Sequence, residues 1–456
     1  MSTRSRLAAA VSLLICAAAL AVAPPPRPLG TAQLQHLVDQ LGDRDFRLRE
    51  QAERRLYEEG LPALPLLRRA LGHRDPEVRR RALRLVPGLE HAAFVAPRRV
   101  SYTGQNQPLR VVLDAISKQT GYKLMSMNNG VVFQPVGIAP APGRAAPAPP
   151  GEPTYSFSFV NTPFWDAIDE ICQAANLVVQ QGWGDEIVRL NPGTLPAHVG
   201  RDGAFRYMAT SLQMYRTVDL QSGGPGRNET LTFNFTLFSE PRLPFLGMGD
   251  VRVEAAYDSE RNSMLPAANP NQDPMWGGIG FSRRHYNGGY KQQNLTVGVQ
   301  LVRVSEKATA LKHLRGVVPV TLLVETKPVV IADKVLDAKG KKTPVGDMEF
   351  AIETVQKMPN NQYQIKFTAT NKAGANDYTW MNTLYQRVEL QDEAGNKYPN
   401  WGTNWHGGGG NNVTLTLTYN GANANVKLGP PARFVYQHWV TRQHDIAFEF
   451  RNVPLP

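Results

Sequence analysis

Two amphipathic helices, each bracketed by short strands, constrain this chain more than any other feature, and both fall within residues 99–190. The first is predicted over residues 108–120. Leu109, Val112, Leu113 and Ile116 recur at i, i+3, i+4 and i+7, one apolar face of a 3.6-residue period, and Gly121 follows where a left-handed residue closes a helix. The second, over 163–176, keeps that spacing through Phe164, Ala167, Ile168, Ile171, Cys172 and Ala175. Thr162 is placed to cap it, Pro163 fits the first helical position, and Asp166 sits in the positive first turn. Strands are predicted ahead of the helices at 100–103 and 155–160, where Tyr155, Phe157 and Phe159 share a face, and behind them at 122–125 and 177–180. A last strand at 186–190 follows a turn at 182–184.

The two halves carry related strings: Pro108-Leu-Arg-Val-Val-Leu-Asp-Ala-Ile-Ser-Lys-Gln-Thr-Gly121-Tyr-Lys-Leu124, and Val160-Asn-Thr-Pro-Phe-Trp-Asp-Ala-Ile-Asp-Glu-Ile-Cys172-Gln-Ala-Ala-Asn-Leu-Val178. In this order the region, residues 99–191, resembles the short N-terminal domain shared by outer-membrane secretins and TonB-dependent receptors. The resemblance covers about a fifth of the chain. It implies a periplasmic docking domain whose partner is an envelope protein, such as a secretion, pilus or TonB-system component. The chain departs from the family in a Pro/Ala-rich insert at 134–153, expected as an extended, mobile loop. No secretin pore or receptor barrel follows, so pore and transport functions do not carry over.

The N-terminus is expected to direct export. Arg4 and Arg6 precede an apolar run over 7–20, and Ala19-Leu-Ala21 and Ala21-Val-Ala23 are both small-x-small cleavage sites. Pro24 hinders the second, so residues 1–21 are read as a signal peptide; a retained anchor is the alternative, although the run is short for a membrane span. Cys16 follows Ile15, where lipoprotein processing needs a small residue. With the signal removed, Cys172 is the only thiol, no intramolecular disulfide forms, and its place on an apolar helix face makes it a small core residue. The destination is periplasm or cell surface. There, the net charge of +11 points to anionic envelope polymers rather than nucleic acid.

Residues 31–90 read as helical and Arg-rich. Asp45, Leu48, Arg49, Ala52 and Leu56 are echoed thirty residues on by Asp75, Val78, Arg79, Ala82 and Val86, with a second helix between. This resembles HEAT-type helical repeats, a small cap of one and a half to two repeats. Arg79, Arg80 and Arg81 are expected on a solvated face. After Pro192 the pattern turns to short β runs separated by Gly, Pro and Asn. We divide it into a β-rich domain at 203–331, with a long polar loop at 259–291, and a β-sandwich domain at 347–456 with immunoglobulin-like architecture. The expected fold class is therefore multidomain α+β: a helical-repeat region, a βαβ-βαββ short domain, then a mainly-β immunoglobulin-like region.

No constellation for catalysis emerges. Gly-x-Ser-x-Gly and Asp-x-Asp-x-Asp are missing, and Gly278-Ile-Gly280 opens no helix. His406, His438 and His444 lack metal-ligand spacing, although a hairpin at 442–443 would set His438 facing His444. Cofactor, metal and enzymatic activity are all expected to be absent; a hydrolase site near 259–291 lacks any nucleophile–base pair. The strongest remaining signal is aromatic: Trp380, Trp401, Trp405, Trp439, Tyr378, Tyr385 and Tyr398 gather in the last domain. Residues 398–410 are expected as a mobile loop whose candidate ligand-binding residues are Tyr398, Trp401, Asn404 and Trp405. The competing expectation is a core plug. Two functions follow: a non-enzymatic envelope adaptor or scaffold binding a protein through residues 99–190, and a binder of carbohydrate or cell-wall polymer through the Trp-rich loop.

Overall fold

The thirty-residue echo becomes a repeated capping geometry. In the computed structural model, Asp45 accepts from the Arg47 N–H and Asp75 from the Glu77 N–H, both at 2.8 Å. Arg49 reaches back to the carbonyls of Asp43 and Arg44 as Arg79 does to those of His73 and Arg74. The structure describes residues 29–128, 131–133, 153–180, 186–219, 226–266, 290–373, 379–423 and 426–456. Residues 1–21, expected as a signal peptide, the 134–153 insert apart from Pro153, the 182–184 turn, Tyr378 and most of the 259–291 loop lie outside these. The fold is mixed α+β, with seven α-helices and five sheets among the described residues. The chain divides into two units, residues 1–94 and 95–456.

The first unit packs α1 (Thr31–Gln40), α2 (Phe46–Glu59), α3 (Leu64–Ala70) and α4 (Pro76–Val95) around Leu34, Leu56, Leu67 and Ala82. Arg81 departs from the solvated face expected of it. Its side chain is buried among Glu50, Glu53 and Glu77, which pair with the guanidinium and offset the cost of burying it.

The second unit opens with β1 (Arg99–Pro108), α5 (Leu109–Thr120), β2 (Lys123–Asn128), β3 (Val131–Phe133), β4 (Thr154–Pro163), α6 (Phe164–Ala175), β5 (Leu177–Gln180) and β6 (Ile187–Pro192). Its halves repeat at a fixed offset of 55 residues. Asn106 and Asn161 both sit at left-handed φ, 50° and 52°; Pro108 and Pro163 share φ −56° and ψ 143°; Gly121 and Asn176 both close a helix in the left-handed region. The apolar faces read from the sequence, Leu109 to Ile116 and Phe164 to Cys172, are buried in one core. β1 and β4 form a two-stranded antiparallel ribbon, while β3-β2-β6-β5 form a separate sheet. The Gln119 carboxamide bonds the N–H and C=O of Ser101, closing part of β1's outer edge.

The β half comprises β7 (Val199–Asp202), β8 (Phe205–Asp219), β9 (Gly226–Ser239), β10 (Phe245–Met248), β11 (Arg252–Asp258), β12 (Asn294–Leu301) and β13 (Ala310–Asp333), then β14 (Lys342–Val345), β15 (Met348–Met358), β16 (Gln362–Asn371), α7 (Thr379–Arg387), β17 (Val388–Asp392), β18 (Asn400–Gly409), β19 (Asn412–Asn420) and β20 (Pro431–Pro454). These strands build two lobes with one pairing scheme. β7·β8, β8·β9, β9·β12 and β11·β13 recur as β14·β15, β15·β16, β16·β19 and β17·β20. The turn after β11 recurs 134 residues later: Asp258 accepts from the N–H and side-chain amide of Asn262, and Asp392 from those of Asn396. Phenylalanines join the facing sheets, Phe233 and Phe235 against Phe448 and Phe450 in one lobe, Phe350 and Phe367 against Tyr436 and Phe434 in the other.

The two β regions expected as separate domains on either side of 331–347 share a sheet. β13 and β20 are each 24 residues long, about 80 Å at strand rise, and pair along their whole length, so each strand serves both lobes. A register shift between Leu323 and Glu325 marks the crossing. β20 also removes the hairpin expected at 442–443. His438 and His444 lie six residues apart on one continuous strand, opposite Lys327 and Val320, and His444 stacks on Phe205 at 5.2 Å. Within the region expected as β-sandwich, α7 intervenes, with Trp380, Met381 and Leu384 burying one face, and β17 begins only at Val388.

Candidate binding site

The residues singled out between 398 and 410 do not form a loop. Gly410, at φ 64°, and Asn411 make a two-residue turn that folds β18 back on β19, and cross-strand bonding satisfies the inner backbone edge of β18. β18 is the outermost strand of the sheet β14-β15-β16-β19-β18. Trp401 is 72% exposed and Trp405 43%, and Asn404 is exposed between them. Asn404 is opposite Thr416, and His406 bonds the Thr416 hydroxyl at 2.7 Å.

Tyr398 separates from this group. It is buried, its ring meets Tyr363 edge-on at 5.6 Å, its hydroxyl donates to the Gly429 carbonyl, and burial pushes its pKa up to about 12. It is a core residue, because the Asp392 turn draws the chain inward until Tyr398 N–H reaches the Leu390 carbonyl. Trp380 is buried on the inner face of α7, and Trp439 lies on the ribbon beneath Arg387. The aromatic concentration thus divides into core, ribbon and one exposed edge.

β18 carries no Lys, Arg, Asp, Glu or Pro. Two other free edges are guarded, β14 by Lys342 and Pro344 and β7 by Arg201 and Asp202, whereas β5 carries no such guard. β12 is also uncharged, but it exposes no aromatic side chain. β18 therefore combines an open backbone edge with two large exposed rings. Pairing across the turn is what the sequence reading missed, although a Gly-Asn pair between two alternating runs is a recognised hairpin signal.

A second concavity lies inside the second unit, a cleft of about 390 Å³ between the end of α5 and the middle of β13. Glu240, fully buried, ties three of its lining residues together. Glu240 accepts from the Arg98 N–H at 2.9 Å, the Tyr122 hydroxyl at 2.7 Å and Arg242 Nε at 3.3 Å. Burial raises the pKa of Glu240 and of Tyr122. Sequence reading missed this site because its members stand far apart in the chain, without a shared motif. Among the described residues no three His, Cys, Asp or Glu side chains converge as a metal site. Cys172 is buried, and its thiol is pushed up to about 12, which suppresses the thiolate. No helix among the described residues is long and apolar enough to cross a membrane.

In comparisons with known proteins, no family model, no curated protein and no solved structure matches this chain.

Proposed function

We propose that this chain is an exported, non-enzymatic binding protein of the cell envelope, an adaptor that holds a protein partner at the free edge of β18. The observation that carries this reading is the unguarded edge of β18, flanked by exposed Trp401 and Trp405. An extended segment of the partner would add as a further strand, its backbone pairing with the outer edge of β18 and its side chains packing on the two rings. In the same reading, residues 99–191 are a secretin/TonB-type short domain, supported by the order strand, helix, strand in each half. Residues 31–90 are a HEAT-like cap, supported by the repeated Asp and Arg geometry, and the β lobes are immunoglobulin-like, supported by facing sheets with buried phenylalanines. Export rests on the composition of residues 1–21.

The test is in-cell crosslinking of a C-terminally tagged chain, comparing wild type with Trp401→Ala/Trp405→Ala. Each exposed anchor is expected to contribute about 2 kcal/mol or more, so the double variant loses its crosslinked protein partner while remaining folded. Unchanged capture rejects β18 as the contact. A polymer-binding reading has its own support, since Trp401 and Trp405 stand beside Asn404 and Thr403 as a stacking surface with hydrogen-bonding neighbours. It predicts co-sedimentation with cell-wall polysaccharide that the same double variant abolishes.

A further inference from the structure

The cleft beside Glu240 is rich in cations whose charge the protein does not fully use. Arg98, Lys123, Arg242 and Lys291 line it, with Glu186 and Glu325 as the acidic members of its wall. Most of these charges are already committed. Lys291 pairs with Glu186, Glu325 lies 3.7 Å from Lys327, and Arg242 bonds both Glu240 and the Ala96 carbonyl. The side chains of Arg98 and Lys123 are different: both are exposed, and neither has a hydrogen-bond or ion-pair partner among the described residues.

One further observation gives the cleft its sign, against the weakly negative end of α5, where the Ser117 carbonyl is already taken by the Gly121 N–H and the Ile116 carbonyl by the Thr120 hydroxyl. Beyond the wall, Thr326 pairs across the ribbon with Trp439, and the Arg387 guanidinium lies over Trp439 and Tyr436 at 5.0 and 4.9 Å. Arg387 Nε is a buried donor without a partner, and the Lys291 N–H bonds the neighbouring Gln386 side chain. A desolvated guanidinium without a carboxylate beside it adds positive potential to the adjoining cleft.

We propose that this cleft binds a small oxyanion ligand, a compound carrying phosphate or carboxylate groups, through Arg98 and Lys123. Arg98 supplies a planar fork suited to two oxygens of one group, and Lys123 supplies a point charge. Pro241, Pro244 and Leu323 add apolar members to its lining, and the volume admits a small molecule. Arg98 also ties the cleft to Glu240 through its backbone, so occupancy would stiffen the seam between the α/β module and the first β lobe. The site is independent of β18.

Calorimetric titration of the full chain with inorganic phosphate and, separately, citrate at fixed ionic strength tests this. Saturable one-site binding is expected for at least one probe, and the preferred probe identifies the oxyanion class. Arg98→Ala/Lys123→Ala should weaken it at least tenfold without shifting the melting temperature in the absence of ligand, since neither side chain has a partner to lose. Lys307→Ala, removing an exposed cation elsewhere, should bind as wild type. No saturable binding of either probe, or equal loss in Lys307→Ala, overturns the proposal.

Discussion

Glu77 shows how single positions in the first unit are held. It opens α4, and its carboxylate takes Arg80 and Arg81 at 2.7 Å each. Hydrogen bonding to Arg80, then to Arg81, draws its pKa from an ordinary 4.5 down to about 2. A depressed carboxyl pKa means the unfolded chain binds the proton first. The stabilisation is therefore complete above about pH 4.5 and is lost as pH falls toward 2. Glu77→Gln should flatten the acid limb of stability over that window, read as the thermal midpoint against pH. A limb as steep as wild type would show that Glu77 does not set it. The sequence showed Arg79, Arg80 and Arg81 as one basic run, but only the pairing of α2 with α4 brings Glu50 and Glu53 to Arg81. That contact spans about thirty residues and has no local signature.

At the scale of elements, the two halves of the α/β module share a device that local sequence does specify. Asn106 and Asn161 each take left-handed φ two residues before a proline, turning the strand into the helix at the angle Pro108 and Pro163 then fix. Asn106→Val and Asn161→Val should each cost about 1–2 kcal/mol, because a β-branched side chain is strained there, whereas glycine at either site should be tolerated. Urea unfolding measures both, and a valine variant as stable as wild type would refute the argument. These helices were legible because amphipathic period, proline and closing residue agree. α7 and β18 were not: α7 is short and rich in aromatics that also favour strands, and β18 is a Gly-rich strand with a weak alternation of its own. The exposed members of the candidate site, Trp401, Asn404 and Trp405, were legible from composition. The burial of Tyr398 depends on Asp392 and Gly429, and the composition of its own segment does not contain that information.

At the scale of the molecule, the β13–β20 ribbon decides how the two lobes behave. Alternation in the sequence marks only pieces of these strands, 317–326 in β13 and 434–441 and 446–451 in β20. It could not find their continuity, because Pro328 and the exposed residues 325–328 interrupt the apolar pattern where the ribbon crosses between lobes. Proline is tolerated there because the ribbon is only two strands wide at that point. Each lobe therefore contains one half of a strand whose other half belongs to its neighbour: β20 serves the second lobe from Phe434 to Tyr436 and the first from Ile446 to Phe450. Unfolding one lobe frees a strand that the other needs, so the pair should melt as one cooperative unit rather than as two domains on a linker. Phe367 is buried in the second lobe against Phe434, and Phe367→Ala should cost about 3–5 kcal/mol. Hydrogen exchange should then accelerate at Phe233 and Phe235 in the first lobe by nearly the same free energy as in the second. Acceleration confined to residues 342–440 would mean the lobes open independently and the shared strands act only as a tether.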